Sequence, residues 1–287
     1  MPRLRLVIFV SLAMLAFAGN SLLCRVALKH TSIDPASFTA LRLLSGACML
    51  WCVVRLKSGK GSPAHPGGGN WLSACALFVY AASFSFAYVG MSAATGALLL
   101  FGAVQATMIG YGLWRGERLS SLQLAGFALA LAGLVALMLP GLAAPSLPGS
   151  LSMMSAGAAW GIYSLRGKRQ QNQGAADPTR VTAGNFLRTV PMALLMSLLM
   201  VKHLSLDGAG VGLAILSGAL ASGLGYAIWY QALPALKATH ASTVQLSVPV
   251  IAALGGVVFI GETVSWPMVR ASVAILGGIA LVILEKK

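Results

Sequence analysis

A few amide and imidazole side chains stand inside long apolar stretches of the sequence. A polar or ionisable side chain is costly in hydrocarbon, so each is by default a candidate for binding or moving a solute. Amides donate and accept hydrogen bonds to small polar molecules, whereas an imidazole can carry a proton. We expect Asn20, Gln105 and Gln245 to bind substrate. His240 is the candidate for coupling transport to protons.

Two arginines, Arg42 and Arg188, occur at corresponding places inside two further apolar stretches. An arginine can bind a substrate carboxylate through two parallel hydrogen bonds. It can equally extend its head group to the membrane surface, or bond a backbone carbonyl where helices pack. The sequence leaves both interpretations open, and packing is the more common of the two.

Aromatic side chains concentrate in three of the apolar stretches. Rings that line a pocket stack on an apolar solute, whereas Trp and Tyr at the ends of a membrane span anchor the interface. Pocket lining and plain packing stay open for the rings at intermediate depth. Together with Ser83, the candidate pocket residues are Tyr80, Phe84, Tyr88, Phe101, Trp160, Tyr163, Tyr226 and Trp229.

Acidic side chains are missing from the predicted membrane spans, and the four cysteines show no paired CxxC spacing. A membrane enzyme needs paired carboxylates, a metal cluster, or a nucleophile beside a base. A proton-driven pump needs a titratable relay. We therefore expect no catalytic residue, no metal site and no cofactor, and we expect transport that is facilitated or only weakly coupled.

The composition is 57% hydrophobic and 9% charged, which excludes an ordinary water-soluble globule. A membrane-spanning helix needs roughly 20 mostly apolar residues. The 287 residues therefore have room for about ten spans and no separate soluble domain. Predicted helices 1 to 10 cover residues 6–28, 35–56, 71–90, 93–114, 120–139, 149–165, 179–201, 209–231, 239–260 and 266–284.

The twenty Lys and Arg against six Asp and Glu give a net charge of +14. With a cytoplasmic N-terminus, most of the loop cations fall on the inner side, and Lys29 and Lys202 lie outside. The charge thus indicates topology in a bacterial inner membrane, with both termini cytoplasmic, and no nucleic-acid partner. Arg3 and Arg5 before an apolar run also resemble a signal peptide, but the run continues to Leu28, which favours a span.

An internal repeat relates the two halves of the chain. Residues 96–135 align with residues 241–280 without a gap, which pairs Gly116-Glu117 with Gly261-Glu262. The repeat predicts two five-helix units, 1–139 and 149–287, that form one membrane domain. Because five is odd, the second unit enters the membrane from the opposite side, as in transporters that alternate access around a site at the midplane.

These motifs resemble a known family. A Gly-Glu pair closing a helix in each half, and the pair Trp160-Gly161 followed by a loop and an arginine-bearing helix, resemble EamA-type members of the drug/metabolite transporter superfamily. Within that superfamily the chain looks most similar to YddG-type exporters of aromatic and other apolar amino acids. The resemblance implies an all-α membrane protein with ten transmembrane helices in two inverted repeats.

We therefore predict an inner-membrane transporter that exports small amphiphilic metabolites, with aromatic or other apolar amino acids as the expected substrates. Its central cavity would be lined by predicted helices 1, 3, 4, 6, 8 and 9, and its partners would be a small-molecule substrate and the lipid bilayer. The alternatives are efflux of lipophilic drugs or other metabolites, a membrane-embedded enzyme, and a receptor or assembly subunit. The oligomeric state stays open.

Overall fold

The computed structural model describes residues 3–57, 68–116, 118–138, 145–172, 177–236 and 244–284. Throughout these ranges the regular structure is helical, which confirms the predicted all-α class. Short 3₁₀ turns follow α7 and α8, at Val201–His203 and Leu233–Ala235. The ten main helices are α1 Arg3–His30, α2 Pro35–Lys57, α3 Trp71–Tyr88, α4 Ala93–Trp114, α5 Ser121–Met138, α6 Leu147–Asn172, α7 Pro178–Leu199, α8 Gly208–Ala232, α9 Ser247–Ile260 and α10 Trp266–Leu284.

Six of these helices, α1 to α4, α7 and α8, are long and apolar enough to cross a membrane by length and composition. Shorter apolar stretches make up most of α5, α9 and α10. Large apolar side chains such as Leu198 and Val258 are exposed on the outside of the bundle. Such a surface is unfavourable in water but is the expected contact with lipid tails. The molecule is therefore a multi-pass membrane protein.

Local sequence signals explain where several helices begin and end. Asn70, Ser92, Asp177 and Asp207 each accept a hydrogen bond from a backbone N–H in the first turn of α3, α4, α7 and α8. Such caps satisfy donors that have no partner within the helix. Gly261 ends α9 in the left-handed conformation, with φ of +69°, which glycine adopts without strain.

The described part of the ninth predicted span contains a turn that was not predicted. Leu246 forms this turn, which separates α9, Ser247–Ile260, from a short helical stretch at 244–245. Pro249 lies in the first turn of α9, where its missing N–H costs little. Residues 239–243 lie outside the described residues.

A π-helical segment, Ser217–Leu224, interrupts α8 and was not predicted. It lies against α2, where glycines replace side chains at the contact. A Cβ on Gly218 would overlap the carbonyl oxygen of Arg42, and one on Gly223 would lie 3.2 Å from the carbonyl oxygen of Gly46. The two backbones therefore touch at the level of Arg42.

The helix contacts follow one pattern in both halves of the chain. Helix α2 packs on α7, α4 on α9 and α5 on α10. Three further contacts each have a counterpart with the halves exchanged. The α3–α6 contact corresponds to α8–α1, the α4–α6 contact to α9–α1, and the α2–α8 contact to α7–α3. Exchanging the first five helices with the last five leaves the first three pairs unchanged and converts each of the others into its counterpart. In the α5–α10 pair, Gly126 and Gly278 meet backbone to backbone.

Candidate functional site

Five aromatic rings from four helices meet at the centre of the bundle. Trp160 of α6 lies 4.9 Å from both Tyr80 of α3 and Tyr226 of α8, between ring centroids. Phe17 of α1 meets Tyr226 edge to face at 5.7 Å, and Phe84 lies 5.5 Å from Tyr80. All five side chains are buried. Tilted and edge-to-face pairs at these separations are attractive, so the rings form a cohesive cluster.

A small cavity of about 20 Å³ lies among these rings. A cavity of roughly 10–15 Å³ can hold one water molecule, whereas pockets for organic ligands measure about 300–1,000 Å³. A solute can therefore enter only if the rings separate. The cavity is lined by Phe17, Asn20, Ser21, Tyr80, Phe84, Leu100, Phe101, Trp160 and Tyr226.

A buried chain of hydrogen bonds runs behind the rings and links α1, α2, α3 and α8. The Ser217 hydroxyl donates to Asn20 Oδ1 at 2.6 Å, and Asn20 Nδ2 donates to the Tyr80 hydroxyl at 3.3 Å. The Tyr80 hydroxyl also accepts from Arg42 Nη2 at 3.1 Å, and Arg42 Nε donates to Ser222 Oγ at 3.3 Å. Ser217 and Ser222 both belong to the π-helical segment, which thus supplies two ends of the chain.

Arg42 is buried to 1% exposure behind Tyr80 and Phe84. Its guanidinium carbon lies 4.8 Å from the centroid of the Phe84 ring and 5.3 Å from that of Tyr80, which gives two cation–π contacts. Its third nitrogen, Nη1, is buried and has no hydrogen-bond partner among the described residues. No carboxylate among the described residues forms an ion pair with Arg42. The salt bridge that the described residues do form joins Arg25 to Glu262.

Arg188 has a different environment. Its Nη1 donates to the backbone carbonyls of Gly68 and Gly184, both at 2.9 Å. These bonds join the start of α3 to α7 and use the guanidinium in packing. The sequence left substrate binding and packing open for both arginines. The contacts of Arg188 match packing, whereas Arg42 has a donor, Nη1, without a described partner.

The other predicted aromatic residues extend the cluster outward. Tyr88 packs edge to face on Phe84 at 4.7 Å, and Tyr163 lies 5.6 Å from Trp160. Trp229 meets Phe17 at 5.9 Å. The structure thus brings the predicted rings of α3, α6 and α8 together at one place.

The remaining predicted polar residues lie elsewhere. Gln105 lines a separate cavity of about 10 Å³ between α4, α5 and α10. Ser83 is half-buried, and its carbonyl accepts a hydrogen bond from Ser152 where α3 meets α6. Gln245 is half-buried just before α9. His240 lies outside the described residues.

Sequence reasoning missed five residues of the site, namely Phe17, Ser21 and Leu100 of the cavity lining and Ser217 and Ser222 of the hydrogen-bond chain. Phe17 lies one turn before Asn20 on α1, and this spacing could have identified it. Ser217 and Ser222 had no such signal, because their contribution depends on the π-helical segment, which no residue pattern predicted.

Charged side chains hold several helix ends together at one end of the bundle. Arg25 pairs with Glu262 at 3.0 Å and also donates to the carbonyls of Tyr88 and Val89 at the end of α3. The second oxygen of Glu262 accepts from Ala93 N–H at the start of α4. This salt bridge therefore joins α1, the α3–α4 turn and the α9–α10 loop.

Two aspartates tie the α1–α2 loop to the α7–α8 loop. Asp34 accepts from Ser205 N–H, and Asp207 accepts from the N–H and the hydroxyl of Ser32. Partial burial raises the pKa of Asp34, but hydrogen bonds from Ser37, Ser205 and Ala36 outweigh it and place the pKa below its ordinary value.

The half-buried Asp207 also has a lowered pKa, chiefly because Gly210 N–H donates to it.

Comparisons with known proteins agree with this architecture. Residues 147–284 match the EamA-like transporter family. An uncharacterized protein of Pseudomonas aeruginosa is 56% identical over 99% of this chain and 96% of its own length. A threonine/homoserine exporter, RhtA of Salmonella typhimurium, is 29% identical over 45% of this chain and 42% of its own. One solved crystal structure superposes with a TM-score of 0.70 over 99% of this chain and 98% of that one at 21% identity, which shows a shared fold.

Proposed function

Because the chain belongs to the EamA-like transporter family, we propose that it exports aromatic or other apolar amino acids across the bacterial inner membrane. The observation that carries this proposal is the central aromatic cluster beside the buried Arg42. The rings suit an apolar side chain, and the guanidinium suits a carboxylate. The similarity to RhtA, an exporter of threonine and homoserine, supports an amino acid as the substrate class, and the resemblance to YddG-type exporters favours its aromatic and apolar members.

Alternating access between two inverted five-helix repeats, 1–139 and 149–287, is the mechanism that we propose. The helix contacts support it, because exchanging the halves converts each of the named contact pairs into itself or into another of them. Opening at one side would then repeat, with the halves exchanged, the movement that opens the other. The cavity of about 20 Å³ corresponds to a closed state between these openings.

The proposed orientation places both termini in the cytoplasm. The excess of Lys and Arg in the predicted inner loops supports it. Under this orientation Arg25–Glu262 and the two aspartates lie on the outer side and hold it closed.

Labelling can test this orientation in a background without cysteine. Ser62→Cys should react only from the cytoplasmic side and Lys202→Cys only from outside. The reverse pattern contradicts the orientation.

Efflux of lipophilic drugs is the second candidate. Lipophilic cations need an anionic group in the site. The described residues that line the cavity include no carboxylate, and the nearest charge is the cation of Arg42. These observations favour the amino acid.

Counterflow in liposomes tests the proposed function. Purified protein should exchange labelled phenylalanine without changing it chemically, whereas an enzyme would convert it and a receptor would do neither. Trp160→Ala should lower the apparent affinity several-fold, because each aromatic contact contributes on the order of 1 kcal/mol. Trp266→Ala is the matched control, since this ring is 79% exposed at the start of α10. Absence of flux for every amino acid tested contradicts the proposal.

We also propose that the transport is facilitated. Liposomes should release substrate at a rate set by its own gradient, with little effect of a pH gradient of about one unit, which supplies about 1.4 kcal/mol per coupled proton. Accumulation that needs the pH gradient in the wild type and disappears in His240→Ala would instead make His240 the coupling residue.

A further inference from the structure

We infer that the site selects its substrate by the carboxylate, which Nη1 and Nη2 of Arg42 bind together. The substrate class is then the apolar or aromatic monocarboxylate, and an amino acid is one member of that class whose ammonium group contributes little to recognition. This inference rests on the proposed function and names the group that the transporter recognises.

The first argument is electrostatic. A guanidinium is always charged, and burying it without a partner of opposite sign is unfavourable. Arg42 is 1% exposed and meets only neutral groups among the described residues, namely two hydroxyls and two aromatic faces. An anionic ligand supplies the missing charge. The empty site therefore has affinity for an anion before any other feature of the substrate is considered.

The second argument is geometric. Ser222 holds Nε, so the end of the guanidinium that carries Nη1 and Nη2 is directed away from the π-helical segment. Nη1 has no partner among the described residues, and Nη2 donates one of its two hydrogens to the hydroxyl of Tyr80. A carboxylate can bind both nitrogens when that hydroxyl moves aside. Because Tyr80 also lines the cavity, in the closed state it lies between Arg42 and a solute there.

The same movement opens the cavity. Tyr80 is one wall of the space between Phe17, Trp160 and Tyr226, so its displacement connects Arg42 to the aromatic rings. A solute with its carboxylate on Arg42 then places its apolar part against these rings.

Recognition of an ammonium group has weaker support. The amide oxygen of Asn20, which lines the cavity, already accepts a short hydrogen bond from Ser217. The described lining contains no carboxylate that could neutralise a second cation beside Arg42. The site is therefore built for one charge, and that charge is negative.

Competition in wild-type protein tests the inference without any variant. Counterflow of labelled phenylalanine is measured with unlabelled 3-phenylpropionate, which keeps the carboxylate, and with phenylalaninamide, which keeps the ammonium. We expect 3-phenylpropionate to inhibit within about threefold of phenylalanine, and phenylalaninamide to inhibit at least about tenfold more weakly, because charge-assisted hydrogen bonds are lost. Stronger inhibition by phenylalaninamide overturns the inference and leaves the proposed function intact. Absence of phenylalanine counterflow contradicts the proposed function itself.

Variants assign the selectivity to Arg42. Arg42→Lys keeps the charge but loses the two-nitrogen geometry, so the ratio of inhibition by 3-phenylpropionate to that by phenylalaninamide should fall about tenfold. Arg188→Gln should leave this ratio unchanged, because the hydrogen bonds of Arg188 to described residues go to backbone carbonyls. The ratio does not depend on how much protein folds. An unchanged ratio in Arg42→Lys overturns the assignment.

Discussion

Arg42 and Arg188 stand at corresponding places in the two halves of the chain, and their surroundings differ in kind. Arg188 donates to a carbonyl of its own helix and to the carbonyl of Gly68, just before α3. Arg42 lies beside the π-helical segment and two aromatic rings, and one of its nitrogens is left without a described partner. The same residue type thus joins two elements through backbone carbonyls in one half and has an unused donor in the other.

The difference originates in what each arginine faces. Helix α7 packs beside the start of α3, where Gly68 presents its carbonyl. Helix α2 packs against α8, where Gly218 brings the backbones together and Ser222 offers only a hydroxyl. A hydroxyl binds one nitrogen and carries no charge, so it positions the guanidinium without neutralising it. An internal repeat therefore does not imply equal roles for equivalent residues.

Removing each charge gives the largest contrast. Arg42→Gln should lower kcat/KM for phenylalanine by at least about 100-fold, since two charge-assisted bonds are lost. Its free energy of unfolding without substrate should change by only about 1 kcal/mol, because an unpaired buried charge is removed as well. Arg188→Gln should do the opposite, with stability lower by about 1–3 kcal/mol and transport per folded molecule retained. Equal effects of the two variants in both assays would erase the distinction.

A pair of glycines tests the backbone contacts beside each arginine. A methyl group on Gly218 overlaps the carbonyl of Arg42, and one on Gly184 overlaps the carbonyl of Gly68. Both alanine variants should lose about 1–3 kcal/mol of stability through overpacking. Only Gly218→Ala should also lower transport, by about tenfold, because it shifts Ser222 from Arg42. Thermal unfolding and counterflow on the same samples separate the two effects.

Removing the Tyr80 hydroxyl tests whether it competes with the substrate for Arg42. Tyr80→Phe keeps the ring and removes the group that occupies Nη2. Without this competitor, the apparent affinity for 3-phenylpropionate should rise about threefold, because the binding-competent state needs less rearrangement. Tyr163→Phe is the control, since the hydroxyl of Tyr163 accepts from Asn185 and does not contact Arg42. Weaker binding in Tyr80→Phe would mean that the hydroxyl contacts the substrate.

Acid should weaken the hydrogen bonds by which Asp34 and Asp207 join the α1–α2 and α7–α8 loops. The pKa values of Asp34 and Asp207 lie below their ordinary value of 3.8 in the folded protein. Their contribution to stability is therefore complete above that value and is lost as the pH falls through the lowered pKa. We expect constant stability from about pH 8 to 5 and a decline below about pH 4. The decline should be smaller in Asp34→Asn, measured by thermal unfolding in detergent.

Much of the fold could be predicted from the sequence because hydrocarbon leaves few alternatives for an apolar segment. Eight of the predicted spans match helices of the structure to within a few residues, and α6 extends further than predicted, to Asn172. The turn at Leu246 was not predicted, because hydropathy averaged over a window does not show a break of one residue.

The site was predictable as a set of residue types rather than as a set of contacts. Tyr80, Phe84, Trp160 and Tyr226 were identified as members of aromatic-rich apolar stretches, and the structure brings them together. The distinction between Arg42 and Arg188 was not predictable, because it depends on partners more than 100 residues away in sequence. The sequence likewise does not show that Gln105 lines the cavity between α4, α5 and α10 and not the central one.

The small central cavity has a consequence for the membrane itself. Protons cross proteins along continuous files of hydrogen-bonded water, and a space of about 20 Å³ among aromatic rings has room for one or two such molecules. In the proposed cycle the carrier returns empty in this state, so it offers no conducting file between the two aqueous phases. A cell can therefore keep many copies of this protein in its energised membrane without short-circuiting its proton gradient.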